Sequence, residues 1–238
     1  MSDIQTIAID FLNFLKKPSL KKLPPNNTNL IITFILLFLL LILTVYTLSI
    51  GIKIVIYLID YKEASKLYSF QESKLNKYST LNNILYILIV GPLIEELLNR
   101  FYLNLKKQNI IITLICLIVF LIKIYWQNVN QVDLFILATV LCTIVAFCAL
   151  SQKRIDLFGL KYFHYIFYCS CVIFACLHIQ NFQSVLSKNY YWLLPFLIFP
   201  QFFMGVFFGY IRVRFGFISG LLFHSVMNIP AVIIYLVS

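Results

Sequence analysis

Apolar runs long enough to cross a lipid bilayer recur along this sequence and exclude a water-soluble fold. A membrane-spanning α-helix needs about 20 consecutive, mostly apolar residues. Seven stretches approach or exceed that length, and they are residues 30–59, 84–105, 109–125, 132–150, 162–181, 191–211 and 215–237. The sequence therefore predicts an all-α fold, a polytopic membrane helix bundle with about seven transmembrane helices.

The composition agrees with this prediction and narrows the class of partner. Hydrophobic residues make up 61% of the 238 residues and charged residues only 12%, whereas soluble domains are about 25% charged. The formal net charge is +10, but most Lys and Arg residues lie between the apolar runs, where they orient the chain and contact anionic lipid. We expect a multi-pass membrane protein, in the cell membrane if bacterial, with the lipid bilayer as a partner and no nucleic acid.

The first 81 residues differ from the rest of the chain and form the first predicted unit. Residues 1–17 place apolar side chains mostly on one helical side and end on two lysines, a pattern typical of an interfacial amphipathic helix. The run 30–59 predicts one long membrane span, and the polar stretch 60–83 predicts a partly helical loop. Residues 82–238 form the second predicted unit, the candidate catalytic domain.

Basic residues mark the ends of several apolar runs, where the sequence predicts loops. The positive-inside rule places such residues on the cytoplasmic side of the membrane. The pairs predicted to lie in cytoplasmic loops are Lys106 and Lys107, Lys153 and Arg154, and Arg212 and Arg214.

One apolar run carries charges that a lipid-facing helix does not tolerate. Residues 91–100, GPLIEELLNR, contain Glu95, Glu96 and Arg100. A charged residue at the bilayer centre costs about 2.5–3.5 kcal/mol on insertion scales, so it usually faces protein or a water-filled cavity. Glu96 and Arg100 are four residues apart and can pair on one helix face, whereas Glu95 points about 100° away. Either the pair only locks two helices together, or it leaves Glu95 available as a general base.

Two later apolar runs add imidazole and amide groups. Phe174 and His178 form an FxxxH pattern, and His224 and Asn228 form an HxxxN pattern with both polar side chains on one helix face. Small residues at the same spacing let membrane helices approach closely. Gly216 and Gly220 precede His224 at the same spacing of four residues, so these glycines and the HxxxN residues are predicted to form one stripe along a helix face.

The combination of carboxylates, imidazoles and an amide suits hydrolysis. A carboxylate can take a proton from water, and imidazole or amide N–H groups can stabilise a developing oxyanion. Alternatively, Glu95, His178 and His224 could bind Zn²⁺ as three protein ligands that leave a fourth position for water. No cofactor is certain on these grounds, and Zn²⁺ is the candidate metal.

The order EExxxR, FxxxH, HxxxN resembles the CPBP family of intramembrane peptidases, whose name stands for CAAX protease and bacteriocin processing and which is also called Abi. The similarity covers about residues 82–236 and includes the segment FMGVFFGYIR before the last motif. It implies an intramembrane endopeptidase that cleaves a membrane-associated peptide or protein, either a prenylated CAAX-type C-terminus or a bacteriocin or leader peptide. One departure is visible, because Asn99 and Phe101 flank Arg100 where the family often has an aromatic and then a small residue.

The resemblance also implies roles for individual residues. Glu95 would activate the water, His178 would help to hold it, and His224 and Asn228 would stabilise the oxyanion. The supporting residues would be Glu96, Arg100 and Phe174. The family is often labelled metalloendopeptidase, although a metal-free glutamate and histidine mechanism is also argued for it, and the residues here fit both.

Two rival functions stay open at this point. A non-enzymatic member of the same family could serve in self-immunity or as a membrane scaffold, with the polar cluster only holding helices together. A proton-coupled transporter could use the acids and histidines as a relay. A transporter favours internal repeats and helices broken at mid-membrane, and the sequence suggests neither apart from Gly91 and Pro92.

Overall fold

The structure, a computed structural model, describes residues 3–21, 27–74, 80–125, 131–183 and 185–237, and every regular element in these ranges is a helix. The α-helices in chain order are α1 (Asp3–Lys16), α2 (Asn27–Ile59), α3 (Tyr61–Lys74), α4 (Thr80–Leu85), α5 (Gly91–Asn99), α6 (Lys107–Tyr125), α7 (Gln131–Ala149), α8 (Gln152–Leu177), α9 (Gln180–Gln183), α10 (Leu194–Leu197), α11 (Phe199–Phe215), α12 (Phe217–Met227) and α13 (Ile229–Val237). A π-helix, Tyr86–Val90, joins α4 to α5, and 3₁₀ helices cover Phe101–Asn104 and Lys188–Leu193.

Four helical segments are long and apolar enough to cross a membrane. They are Ile31–Ile59, Leu81–Asn99, Gln152–Phe182 and Lys188–Phe215, and they contain or overlap the first, second, fifth and sixth predicted spans. Shorter apolar helices correspond to the other three predicted spans, and they are Lys107–Ile122, Thr139–Ala149 and Phe217–Ile233. The all-α fold is confirmed for the described residues, with four segments long and apolar enough to cross a membrane, while the count of seven crossings stays a prediction.

Two predicted span boundaries are wrong, and local backbone chemistry explains both. The second span was predicted to reach residue 105, but the α-helix ends at Asn99 because Arg100 leaves helical geometry with φ −136°. The fifth was predicted to begin at residue 162, but α8 begins ten residues earlier. Ser151 caps it, because the hydroxyl oxygen of this residue accepts a hydrogen bond from the backbone N–H of Arg154 (3.4 Å). Arg154 therefore lies in the first helical turn instead of a loop.

The last predicted span, residues 215–237, is two helices. Asn228 is the C-cap of α12, and α13 begins at the next residue. Gly216 does not continue the stripe of Gly220, because it separates α11 from α12 with φ +99°, a conformation that favours glycine. Helix breaks of the kind that the sequence did not suggest are therefore present near the polar residues.

Helix α11 lies at the centre of the bundle. It contacts α2, α8, α10 and α12, and its buried residues run without interruption from Gly205 to Arg214. Glycine is needed on the side that faces α8. A Cβ atom at Gly205 would lie 3.2 Å from the Cα of Cys171, and one at Gly209 would lie 2.7 Å from the ring of Phe167. The two glycines thus permit the close approach of α8 and α11.

The predicted N-terminal helix exists as α1, but its apolar side contacts protein. Ile7, Phe11 and Phe14 are buried. The ring centroid of Phe11 lies 4.8 Å from that of Phe207 and 4.9 Å from that of Tyr210, both in α11. Helix α1 therefore shares one hydrophobic core with the candidate catalytic domain, and its position at a membrane interface stays a prediction.

Hydrogen bonds and an ion pair reinforce the contact between α1 and α11. Asp10 accepts hydrogen bonds from the Tyr210 hydroxyl (2.8 Å) and from Arg214 Nε (2.8 Å). Arg214 Nη1 also donates to the carbonyl oxygens of Ser19 (2.9 Å) and Lys21. The prediction that Arg214 lies in a loop is wrong, because it is buried in the last turn of α11.

A second polar cluster joins α3 to the segment that precedes α10. The stretch predicted as a partly helical loop is helical over Tyr61–Lys74, while residues 75–79 lie outside the described residues. Glu63 in α3 accepts hydrogen bonds from Lys66 Nζ (2.5 Å), the Ser187 hydroxyl (2.6 Å) and the Ser187 backbone N–H (3.0 Å). Tyr190 donates its hydroxyl to Asp60 (2.9 Å). We call these residues the α3 latch, because they join α3 to the segment that precedes α10.

Candidate active site

Glu96 and Arg100 form an ion pair at the C-terminal end of α5, as predicted, and both side chains are 0% exposed. The guanidinium carbon of Arg100 lies 4.2 Å from the ring centroid of Phe174 and 5.1 Å from that of Phe208. Glu96 Oε2 and Arg100 Nε and Nη2 make no hydrogen bond to any described residue. Aromatic faces therefore stabilise part of the guanidinium where hydrogen-bond acceptors are lacking.

His224 in α12 lies between the two adjacent carboxylates. Its Nδ1 is 3.1 Å from Glu96 Oε1, and its Nε2 is 3.6 Å from Glu95 Oε2. Because an ionised carboxylate only accepts hydrogen bonds, Nδ1 carries a hydrogen and donates it to Glu96. The imidazole also stacks on Phe208 with ring centroids 4.2 Å apart and an angle of 26° between the planes. Glu96 and Phe208 together orient the ring so that Nε2 faces Glu95.

Glu95 occupies a different environment from its neighbour, as their angular separation on the helix predicts. Its side chain is 34% exposed, whereas that of Glu96 is 0% exposed. The backbone around Glu95 is held from the side, because Asn99 Nδ2 donates to the Glu95 carbonyl oxygen (2.9 Å). The Ser170 hydroxyl in turn donates to the Asn99 carbonyl oxygen (2.5 Å). Glu95 is thus a partly exposed carboxylate on a fixed backbone, with an imidazole nitrogen close to it.

His178 lies at the C-cap of α8 and reaches the site through Phe174. Its Nδ1–H donates to the Phe174 carbonyl oxygen (2.8 Å), so in the neutral ring Nε2 is the nitrogen that can accept a hydrogen bond. The Phe174 ring centroid is 4.8 Å from that of His178 and 6.1 Å from that of His224. Within the part of the chain that the structure describes, no hydrogen bond joins His178 directly to Glu95 or His224.

Asn228 connects the helix break to the π-helix that precedes α5. Its Nδ2 donates to the carbonyl oxygen of Ile87 (2.8 Å), which belongs to the π-helix Tyr86–Val90. Short π-helices occur mostly as bulges in α-helices and frequently at functional sites. One amide hydrogen of Asn228 is therefore committed to the protein, and its second amide hydrogen is available for another acceptor.

Arg212 is a residue of the site region that the sequence interpretation missed. It was predicted to lie in a cytoplasmic loop, but it is buried in α11. Its Nε donates to the Arg100 carbonyl oxygen (3.1 Å) and its Nη2 to the Phe101 carbonyl oxygen (2.9 Å). A basic residue after an apolar run usually marks a loop, and although Arg212 ends the segment FMGVFFGYIR that takes part in the family resemblance, the sequence assigned its side chain no role. Phe208 lies in the same segment and was missed as well, because phenylalanine is frequent throughout the apolar runs of this chain, which contains 23 of them.

The predicted zinc ligands do not form a three-ligand set in this geometry. Glu95 and His224 lie close together, but His178 is turned towards the Phe174 carbonyl oxygen. No group of three or more His, Cys, Asp or Glu side chains among the described residues is placed so that it could hold a metal ion. The zinc site therefore stays a prediction.

A comparison with known protein families identifies one match. The family model described as Type II CAAX prenyl endopeptidase Rce1-like matches residues 77–230, which is more than half of the chain. The match spans α5, α8 and α12 and therefore every residue of the candidate active site. No curated protein matches the chain, and no solved structure matches it.

Proposed function

Because the chain belongs to the Rce1-like family of type II CAAX prenyl endopeptidases, we propose that it is a multi-pass intramembrane endopeptidase. The substrate is a membrane-associated peptide or protein. The family description favours a prenylated CAAX-type C-terminus over a bacteriocin or leader peptide. In this proposal the four membrane-length segments and the three shorter apolar helices make the seven crossings expected from the sequence.

One observation carries the proposed chemistry. The partly exposed carboxylate of Glu95 lies 3.6 Å from His224 Nε2, while the neighbouring carboxylate of Glu96 is occupied by Arg100 and His224 Nδ1. Glu95 is therefore the carboxylate that remains available to a substrate or a water molecule. A carboxylate within a membrane-length helix has to face a wet or polar space, and such a space is where hydrolytic water would enter.

The proposed reaction begins when Glu95 removes a proton from water. The water oxygen forms a bond to the carbonyl carbon of the scissile peptide, and the carbonyl electron pair moves onto its oxygen to give an oxyanion. The oxyanion then re-forms the C=O bond while the C–N bond breaks, and Glu95 delivers the proton to the leaving nitrogen. General acid–base catalysis of this kind contributes about 10²–10⁴-fold in rate.

In the proposed reaction, the two histidines and the Asn228 amide assist the steps that Glu95 carries out. His178 Nε2 is suited to accept a hydrogen bond from the attacking water. His224 Nε2 donates to the oxyanion when the ring carries its second proton, and Glu96 balances that charge from the other side of the ring. The second amide hydrogen of Asn228 provides a further donor. The removal of one oxyanion donor costs about 10²–10³-fold in rate.

Purified protein in lipid nanodiscs, incubated with prenylated CAAX peptides and with leader peptides, tests the proposal. We expect Glu95→Gln, His178→Ala and His224→Ala to lower cleavage by at least about 100-fold. Asp156→Asn, an exposed carboxyl in α8, and His164→Ala are the matched controls and retain activity. Parallel reactions with a chelator test the zinc alternative. Wild-type cleavage by all three site variants would show that the catalytic residues are wrongly identified.

A further inference from the structure

We infer that Arg212 is a positioning residue of the peptidase, which holds the helix of Glu95 and Glu96 in register with the helix of His224. The inference rests on the proposed function. Arg212 lies in α11, contacts the residues that follow α5 and the first residue of α12, and makes no hydrogen bond to Glu95, Glu96 or His224 in the described part of the chain. It acts on the backbone that carries them.

The first contact of Arg212 is with the end of the glutamate helix. The last carbonyl groups of an α-helix lack intrahelical donors and need partners from elsewhere. Arg212 donates to the carbonyl oxygens of Arg100 (3.1 Å) and Phe101 (2.9 Å), immediately after α5 ends at Asn99. A cation at a helix C-terminus also interacts favourably with the helix dipole. The same two oxygens also accept from the Leu103 backbone N–H (3.1 Å) and from Asn109 Nδ2 (3.4 Å). Arg212 thus fixes the turn that follows α5 to α11.

The second contact of Arg212 is with the histidine helix. Its guanidinium carbon lies 5.2 Å from the ring centroid of Phe217, the first residue of α12. The Phe217 ring meets the Phe101 ring edge to face at 4.9 Å, so the two helix ends share one aromatic contact beside the guanidinium. A Cβ atom at Gly220 would lie 3.4 Å from the Cα of Arg212. Gly220 and His224 are four residues apart on one face of α12, so this packing reaches the catalytic imidazole.

The site depends on this arrangement because its polar contacts join the same two helices. The Glu96 to His224 hydrogen bond measures 3.1 Å and the Glu95 to His224 separation is 3.6 Å. Both distances change if the end of α5 moves relative to α12. A misplacement of about 1 Å in an active site can lower the rate about 100-fold. Loss of the Arg212 hydrogen bonds is therefore expected to lower the rate by changing these two distances.

A first experiment compares Arg212→Gln and Arg212→Lys with Arg154→Gln, whose side chain is exposed at the start of α8. We expect Arg212→Gln to lower kcat by about 10–100-fold while KM stays within about threefold, because no substrate contact is lost. Arg212→Lys restores part of kcat, since an ammonium group can donate to one of the two carbonyl oxygens. Arg154→Gln behaves as wild type. Unchanged kcat in both Arg212 variants would overturn the inference.

A second measurement decides the inference even without a substrate. The chain contains three histidines, so His164→Gln leaves His178 and His224 to be observed by ¹⁵N-histidine NMR. We expect Arg212→Gln to shift the ring signals of His224 and to leave those of His178 in place. Unchanged His224 signals, or equal shifts of both histidines, would contradict a positioning role. A wild-type protein that cleaves no peptide would refute the proposed function, while the NMR result would still decide the role of Arg212.

Discussion

The buried cluster of Glu96, Arg100 and His224 and the α3 latch are each built around a glutamate, but the basic partner is buried in the first and exposed in the second. In each, a glutamate pairs with a basic residue one helical turn later and meets a third partner from a distant helix or loop. The buried pair is 0% exposed on both sides, whereas Lys66 of the latch is 49% exposed. Exposed pairs contribute little, and breaking a buried pair is costly. Loss of the buried ion pair is therefore expected to cost more stability than loss of the exposed one.

The two clusters also differ in how completely their polar atoms are satisfied. Both oxygens of Glu63 accept hydrogen bonds, from Lys66 and from Ser187. In the buried cluster, Glu96 Oε2 and two nitrogens of Arg100 have no hydrogen-bond partner among the described residues. A buried network that is only partly satisfied is a poor stabilising device. In the proposed reaction, the role of this network is to orient His224.

The largest expected effect comes from breaking the buried pair. Glu96→Gln removes the charge that balances Arg100 inside a membrane-length segment, and breaking such a pair costs about 3–5 kcal/mol. We expect this loss in the free energy of unfolding, measured by denaturant titration of the protein in detergent micelles. A variant within about 0.5 kcal/mol of wild type would show that the charge of Arg100 is compensated by other groups.

A double variant separates stability from function in the same cluster. Glu96→Leu with Arg100→Met replaces both charges by apolar groups, a change that is often neutral or stabilising for buried pairs. The free energy of unfolding of this double variant is expected to be at least as large as that of Glu96→Gln. Its cleavage rate should nevertheless be no higher than that of Glu96→Gln, because His224 Nδ1 has lost its acceptor. Wild-type cleavage by the double variant would show that the buried pair does not orient the imidazole.

A smaller effect is expected at the latch. Glu63→Gln weakens hydrogen bonds that a charged acceptor receives, and such bonds contribute about 1.5–3 kcal/mol each. The loss should be local, because α3 can detach from Ser187 without unfolding the bundle. Amide hydrogen exchange of α3 measures it, and cleavage should not change. Lys66→Ala, at the exposed end of the pair, is the matched control and should cost at most about 1 kcal/mol. An equal loss of exchange protection in Glu63→Gln and Lys66→Ala would contradict the expectation that the buried carboxylate contributes more than the exposed ammonium group.

The sequence predicted the parts of the site that depend on local spacing. Glu96 and Arg100 pair because residues four apart share a helix face, and Glu95 differs from Glu96 because adjacent residues do not. His224 lies close to both carboxylates, and the catalytic use of the three groups stays a prediction. The apolar runs identified the membrane-length helices, since hydrophobicity along a segment is a property of that segment alone.

The features that the sequence did not predict depend on tertiary contacts. Arg212 and Arg214 resemble loop residues in sequence, and only the carbonyl oxygens and the carboxylate that face them explain their burial. The end of α5 at Arg100 and the break at Asn228 are likewise held by groups from other helices. The latch joins Glu63 to a residue 124 positions away. The periodicity of the sequence does not reveal which distant groups such side chains contact.

Acidification gives the smallest expected effect and acts on the latch. Burial of the Glu63 carboxylate would raise its pKa, but the hydrogen bonds from Lys66 and Ser187 outweigh burial and hold the pKa below the ordinary value of 4.5. The Tyr190 hydroxyl likewise lowers the pKa of Asp60 below 3.8.

A lowered pKa in the folded state means that the ionised latch stabilises the protein above pH 4.5, and that this stabilisation is lost as the pH falls through the lower folded-state pKa. Exchange protection of α3, corrected for the intrinsic exchange rate, should therefore stay constant from pH 7 down to about 5 and then decline. Glu63→Gln should flatten that decline, because the variant has no carboxylate to protonate. An equally steep decline in Glu63→Gln would assign the acid sensitivity of α3 to other carboxylates, with Asp60→Asn as the next variant to measure.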